Sequence, residues 1–154
     1  MSETLTTASG DDLLAADAKA RRRALEPASF IVEAPAGAGK TELIAQRFLM
    51  LLARVEHPEE IVAITFTRKA AAEMRNRILA SLEMAASGVL PEAAHRQVTF
   101  ELARTVLARS AELGWALQSQ PQRLRILTID SLCASLARQM PLLSRFGAQP
   151  AVAQ

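Results

Sequence analysis

Tyrosine is absent from these 154 residues, cysteine occurs once, and aromatic side chains make up only 4% of the chain. A lone thiol, Cys133, excludes an internal disulfide and any zinc centre built on a cysteine cluster, and it suits a reducing compartment. No apolar run approaches a membrane span, and the polar, acidic opening MSETLTTASGDDLL reverses the basic-then-apolar order of a secretory leader. A cytoplasmic protein with no membrane partner is expected. Lysine is scarce as well: of 18 basic residues only Lys19, Lys40 and Lys69 are lysines, so each invites a reason. The net charge of +2 is too small to demand a polyanionic partner by itself. What remains, at 50% hydrophobic and 22% charged, is the composition of one ordinary soluble domain.

Residues 1–11 read as a polar lead-in and residues 12–154 as the folded part. The segment from Asp12 has helical apolar spacing through Leu13, Ala16, Ala20 and Ala24, and Pro27 stops it. SFIVEA (29–34) is short, apolar and partly β-branched, which predicts a buried parallel strand; the period from Thr41 onward predicts a packed helix. EEIVAITF predicts a second strand ending near Phe66, followed by a helix with Met74, Ile78 and Leu82 on one face. A long helix is expected from Pro91 to Gly114, then a strand at LRILTI and a last helix stopped by Pro141. Strands alternating with helices predict an α/β fold, a parallel sheet with helices on both faces.

Between the first strand and helix lies APAGAGKT, residues 34–41. Cradling a phosphate requires small residues whose N–H groups can close on the anion, a helix N-terminus behind them, a lysine for the β and γ phosphates and a hydroxyl for magnesium. Ala34, Pro35, Ala36, Gly37, Ala38, Gly39, Lys40 and Thr41 supply all of these, with alanine at position 34 where the strict pattern has glycine. The implied cofactors are ATP and Mg²⁺, with Lys40 on the phosphates and Thr41 on the metal. The alternative is a glycine-rich turn with an exposed lysine.

AITFTRKAAAEMRNRI (63–78) resembles motif Ia of the UvrD/RecB-like superfamily 1 DNA helicases, and VEAPAGAGKTELIAQRFL resembles their motif I, in the family's order and at about its spacing. ILTIDSLCASLARQMP is similar to motif Ib of the RecB/AddA branch, the helicase-nuclease subunits that process double-strand breaks in bacteria. The resemblance runs from about residue 17 to the C-terminus. It implies a RecA-like P-loop NTPase sheet, ATP-driven 3′ to 5′ movement on single-stranded DNA, and a second helicase-nuclease subunit as partner. Motif II with its carboxylate pair, the second RecA-like domain with its arginine finger, and a nuclease domain are not found among these residues. The expected reading is therefore the N-terminal part of domain 1A, binding nucleotide without hydrolysing it or unwinding DNA.

Single-stranded DNA fits the second motif physically, since Phe66 can offer a face to a base while Thr67, Arg68 and Lys69 open a helix whose dipole suits a phosphate. The resemblance adds Thr128 and Ser131. Two departures stand out. Many relatives carry an adenine-reading glutamine ahead of motif I, whereas no glutamine precedes Gln46 here and the Lys19 to Arg22 region holds that place; Arg21, Arg22 and Arg23 read otherwise as a solvated basic face. Asp130 stands where many relatives have histidine, and ILTI followed by an aspartate also mimics a Walker B strand. On that rival reading the chain is a stand-alone nucleotide-binding or phosphotransfer protein with Asp130 on magnesium; otherwise Asp130 caps the helix beginning at Ser131. His57 and His95 lack neighbours at metal spacing. Cys133 and Trp115 are expected in the core, and Glu73 and Arg77 as an ion pair.

Overall fold

The computed structural model describes residues 10–35 and 37–139, so Ala36 and the expected stop at Pro141 lie outside the described residues. Five helices and two strands follow one another as α1 (Gly10–Arg23), α2 (Lys40–Leu52), β1 (Val62–Thr65), α3 (Arg68–Ser87), α4 (Ala94–Leu113), β2 (Arg125–Thr128) and α5 (Ile129–Gln139). Single 3₁₀ turns, Pro58–Glu60 and Pro121–Arg123, lead into the two strands. Each opens with a proline, whose fixed φ and missing N–H suit a first helical position.

The strands pair in parallel, with Val62 opposite Arg125 and Thr65 opposite Thr128. Parallel neighbours need a crossover, and α3 and α4 form it. Thr67 starts α3 by accepting a hydrogen bond from the N–H of Ala70 at 3.1 Å. Gly114 ends α4 with φ of 66°, a left-handed conformation that glycine adopts at little cost. The helix begins at Ala94 rather than at Pro91.

The core lies where α2, α3 and α4 pack together and α3 covers the strand pair. Leu49, Leu52, Ile78, Leu82, Val106 and Ile126 are buried in it, together with the expected Met74. Trp115 is buried too, and its indole N–H donates to the carbonyl of Glu56 at 2.9 Å, so the one polar atom of the ring is satisfied. Below it, the Arg123 guanidinium bridges to Glu59 (2.6 and 3.2 Å) and to the carbonyl of Trp115 (2.9 Å), tying the two 3₁₀ turns together.

One expectation about the sheet needs correction. Residues 29–34 are extended but not a strand, and Ile31 is 93% exposed, because no neighbouring strand among the described residues offers a ladder of hydrogen bonds. On the face of β1 away from α3, Val62 and Ile64 remain 40% and 53% exposed. Cys133 is exposed rather than in the core, since α5 packs chiefly against β2 and buries none of its described residues.

What holds the extended segment is a side chain from downstream. Arg47 of α2 donates to the carbonyls of Ala24, Glu26 and Ala28, just beyond the end of α1, and stacks its guanidinium 5.2 Å from the centre of the Phe30 ring.

Candidate nucleotide loop and strand-end surface

Gly37 and Gly39 have φ of 79° and 74°, so the loop turns twice through the left-handed region before α2 starts at Lys40. Gly39 caps α2 without a side chain, leaving the first N–H groups of the helix, and the positive end of its dipole, on the loop side. Lys40 folds over the same loop: its Nζ donates to the carbonyls of Ala34 and Pro35, the latter at 2.7 Å. Thr41 is exposed next to it. A cleft of about 590 Å³ opens beside the loop, lined by Ala34, Ala38 and Lys40 and, on its apolar side, by Phe30 and Val32.

Arg21 corrects an expectation. Arg22 and Arg23 are exposed as a solvated basic face requires, but Arg21 turns to the loop, donating to Asp17 (2.7 Å) and to the carbonyl of Ala38 (2.6 Å). Its Nη1 lies 3.3 Å from the position a Cβ on Gly39 would occupy, so space as well as φ favours glycine there. Nothing in the run of three arginines singles out the first; only the geometry does.

Behind the loop, Glu42 in the first turn of α2 is held from two sides. Thr99 of α4 donates its hydroxyl to Glu42 Oε1 at 2.5 Å, and Arg77 of α3 donates to Glu42 Oε2 at 3.1 Å. Buried Gln46 then donates to Thr99 Oγ1 and to the carbonyl of His95, each at 3.0 Å. Arg77 therefore pairs with Glu42 and not with Glu73, which instead approaches Lys69 at 3.9 Å. Spacing four apart on a helix allowed either partner for Glu73.

The second group of expected site residues gathers at the carboxyl ends of the paired strands, because Thr65 and Thr128 stand in register there. Phe66 is 87% exposed, and Arg68 and Lys69 are exposed in the first turn of α3. Thr67 lies between them with its oxygen occupied in capping. Thr128 is buried; its Oγ1 accepts from the N–H of Ser131 at 3.2 Å and lies 2.8 Å from the Ser131 hydroxyl. Thr128 thus does the capping expected of Asp130, which sits exposed in the first turn of α5, the helix having begun at Ile129. Among the described residues no group of three His, Cys, Asp or Glu side chains could hold a metal, and no helix is long and apolar enough to cross a membrane.

An α/β unit with a glycine loop at a helix N-terminus admits several classes of nucleotide protein, and comparison with known families decides among them. The family pattern of the UvrD/REP helicase N-terminal domain matches residues 17–148. The chain belongs to that family. Among curated proteins it is 45% identical over 69 residues to a "Probable DNA helicase II homolog" of Mycoplasma pneumoniae, 44% of this chain and 8% of that one. It is 48% identical over 61 residues to one polypeptide of an ATP-dependent helicase/nuclease of Moorella thermoacetica, 38% of this chain and 4% of the relative. With "DNA helicase II" of Haemophilus influenzae it shares 48% identity over 67 residues, 42% of this chain and 9% of the relative. The alignments thus span less than a tenth of each relative's length. No solved structure gives a significant match.

Proposed function

We propose that this chain supplies the ATP-binding loop and part of the single-strand surface of a DNA helicase of the helicase-nuclease type, acting in double-strand-break repair and moving 3′ to 5′ beside a second subunit. The observation that carries the reading is the loop itself. Two left-handed glycines, a lysine at the first position of α2 and an exposed threonine next to it fall inside a helicase family match. The P-loop fold, of which the described residues hold two strands, is part of the same proposal.

Residues 34–41 fit ATP and Mg²⁺ by the chemistry of their donors. Backbone N–H groups at the start of α2 and the Lys40 ammonium would hold the β and γ phosphates, and the Thr41 hydroxyl would hold the metal. ATP, when bound, brings the phosphoryl group whose transfer to water drives movement. Phe66 stacks on a base while Arg68, Lys69 and the strand-end hydroxyl of Ser131 meet the phosphate backbone, a mode that tolerates any sequence. On residues 1–154 alone the proposal is binding without turnover, because neither a carboxylate to position water nor a cation for the γ phosphate is assigned among them.

Titration of a fluorescent ADP into the folded chain, with and without Mg²⁺, tests the loop. Lys40→Ala removes one charge-assisted contact to phosphate, about 1.5–3 kcal/mol, or roughly 10- to 150-fold in Kd. Equal affinities for both proteins would remove Lys40 from the site.

A further inference from the structure

Five of the described arginines have a carboxylate within ion-pair distance. Asp17 serves Arg21, Glu42 serves Arg77, Glu101 serves Arg104, Glu112 serves Arg109 and Glu59 serves Arg123. A cleft of about 540 Å³ beside β2 gathers three arginines that have none among the described residues. Arg75 of α3, Arg125 of β2 and Arg138 of α5 all line it, and among the described residues no carboxylate does. Ser131 and Ser135 share its wall with Arg138, at the i, i+4, i+7 spacing that puts side chains on one face of a helix.

Three guanidinium groups around one concavity repel each other unless something neutralises them. Arg75 donates its Nη2 to the carbonyl of Ile126 at 2.9 Å and is thereby fixed against β2. Arg125 and Arg138 offer charged donors to one concavity, which matches an anion with several oxygens. The cleft begins at Ser131, which is bonded to Thr128 at the strand ends, and extends to Arg138, seven residues or about 10 Å along α5. Its Ser131 end adjoins Thr128, the strand-end residue in register with Thr65, which directly precedes Phe66.

We infer that this cleft is a second phosphate-binding stretch, along which the backbone of a single nucleic acid strand runs from the strand ends down α5, contacted by Arg125, Arg138 and Ser135. The inference rests on the proposed single-strand surface and extends it; an acidic protein segment is the competing occupant. Arg75, which holds α3 to β2, positions the wall and is left intact in the test.

The experiment uses the whole chain and anisotropy of a labelled oligothymidylate of about 12 nucleotides, titrated at about 50 and 200 mM salt. Each lost phosphate contact lowers the slope of log K against log salt by about 0.7 for single strands, so Arg125→Ala with Arg138→Ala should lower it by about 1.4. Over that fourfold change in salt the wild type should lose about 7-fold more affinity than the double variant. Lysine at both positions should restore the slope, and Arg104→Ala, at an ion pair elsewhere on α4, should leave it alone. If Lys69→Ala lowers the slope and the double variant does not, the cleft is overturned while the strand-end surface stands. If neither moves it, both fall. A double variant that keeps the wild-type slope yet no longer binds polyglutamate would hand the cleft to an acidic peptide and overturn the inference.

Discussion

Replacing Thr99 by valine keeps the shape of a buried side chain and deletes a single hydroxyl on which three helices converge. That hydroxyl donates to Glu42 of α2 and accepts from Gln46 of the same helix, while Glu42 is held in turn by Arg77 of α3. A hydrogen bond to a charged group contributes about 1.5–3 kcal/mol net, and a buried donor stripped of its acceptor adds its own desolvation cost. Gln46 keeps its bond to the His95 carbonyl, and Glu42 keeps Arg77, so neither group is left wholly unpaired. We expect Thr99→Val to cost about 2 kcal/mol, or a fall in Tm of roughly 8 °C at about 4 °C per kcal/mol. Thr99→Ser, which preserves the hydroxyl and loses only a methyl group, should cost less than half as much. On a Glu42→Gln background the valine substitution should cost less than in the wild type, because the charge-assisted part is already gone. Thermal unfolding of these variants beside the wild type measures all of this. Valine and serine variants with the same Tm would refute the reasoning, since the hydroxyl would then carry nothing.

Acid should weaken the clamp between the two 3₁₀ turns: the Arg123 hydrogen bonds hold the Glu59 carboxyl below its ordinary value of 4.5. A depressed folded pKa means that the stabilisation is present at and above that value and fades as pH falls through the lower folded one. Urea midpoints of wild type and Glu59→Gln should therefore differ at neutral pH and converge as the pH falls below the ordinary carboxylate range, by a small margin because the carboxylate is 41% exposed; a gap that widens in acid would contradict the assignment. Steady-state phosphate release from ATP by the 154-residue chain should stay at background with and without single-stranded DNA, using Lys40→Ala to report contamination; a DNA-stimulated rate that Lys40→Ala abolishes would overturn binding without turnover.

Where local pattern and burial agree, the elements could be read from the chain: Met74, Ile78 and Leu82 do line the buried face of α3, and Gly114 does end α4. Residues 29–34 misled because their apolar, β-branched composition describes what a strand needs from its neighbours, and a strand exists only where a neighbour supplies the hydrogen bonds. The loop motif was legible because its glycines and lysine act through the backbone within eight residues. Arg21 was not, since its acceptor, the Ala38 carbonyl, lies 17 positions away and carbonyls leave no trace in a sequence. Thr99 escaped because its partner is distant too, 57 positions away at Glu42. Cys133 and Leu136 occupy apolar helical positions as a core helix would have them, yet both remain exposed on α5, where no second layer among the described residues meets them.

Arg47 reaches back to hold Ala24, Glu26 and Ala28, but its hydrogen bonds go to carbonyls, and no amide from Ser29 to Ala34 finds an acceptor among the described residues. In deuterated solvent those amides are open to exchange without any unfolding, while the interior turns of α2, α3 and α4 exchange only when the packed core opens. The loop at residues 34–41 sits on that border: it follows fast-exchanging chain and ends in the first two residues of α2, whose amide hydrogen bonds begin at Leu43. Opening free energy therefore steps upward between the loop and Leu43, so the glycines stand just before a seam between two tiers of local stability as well as at a turn of the backbone.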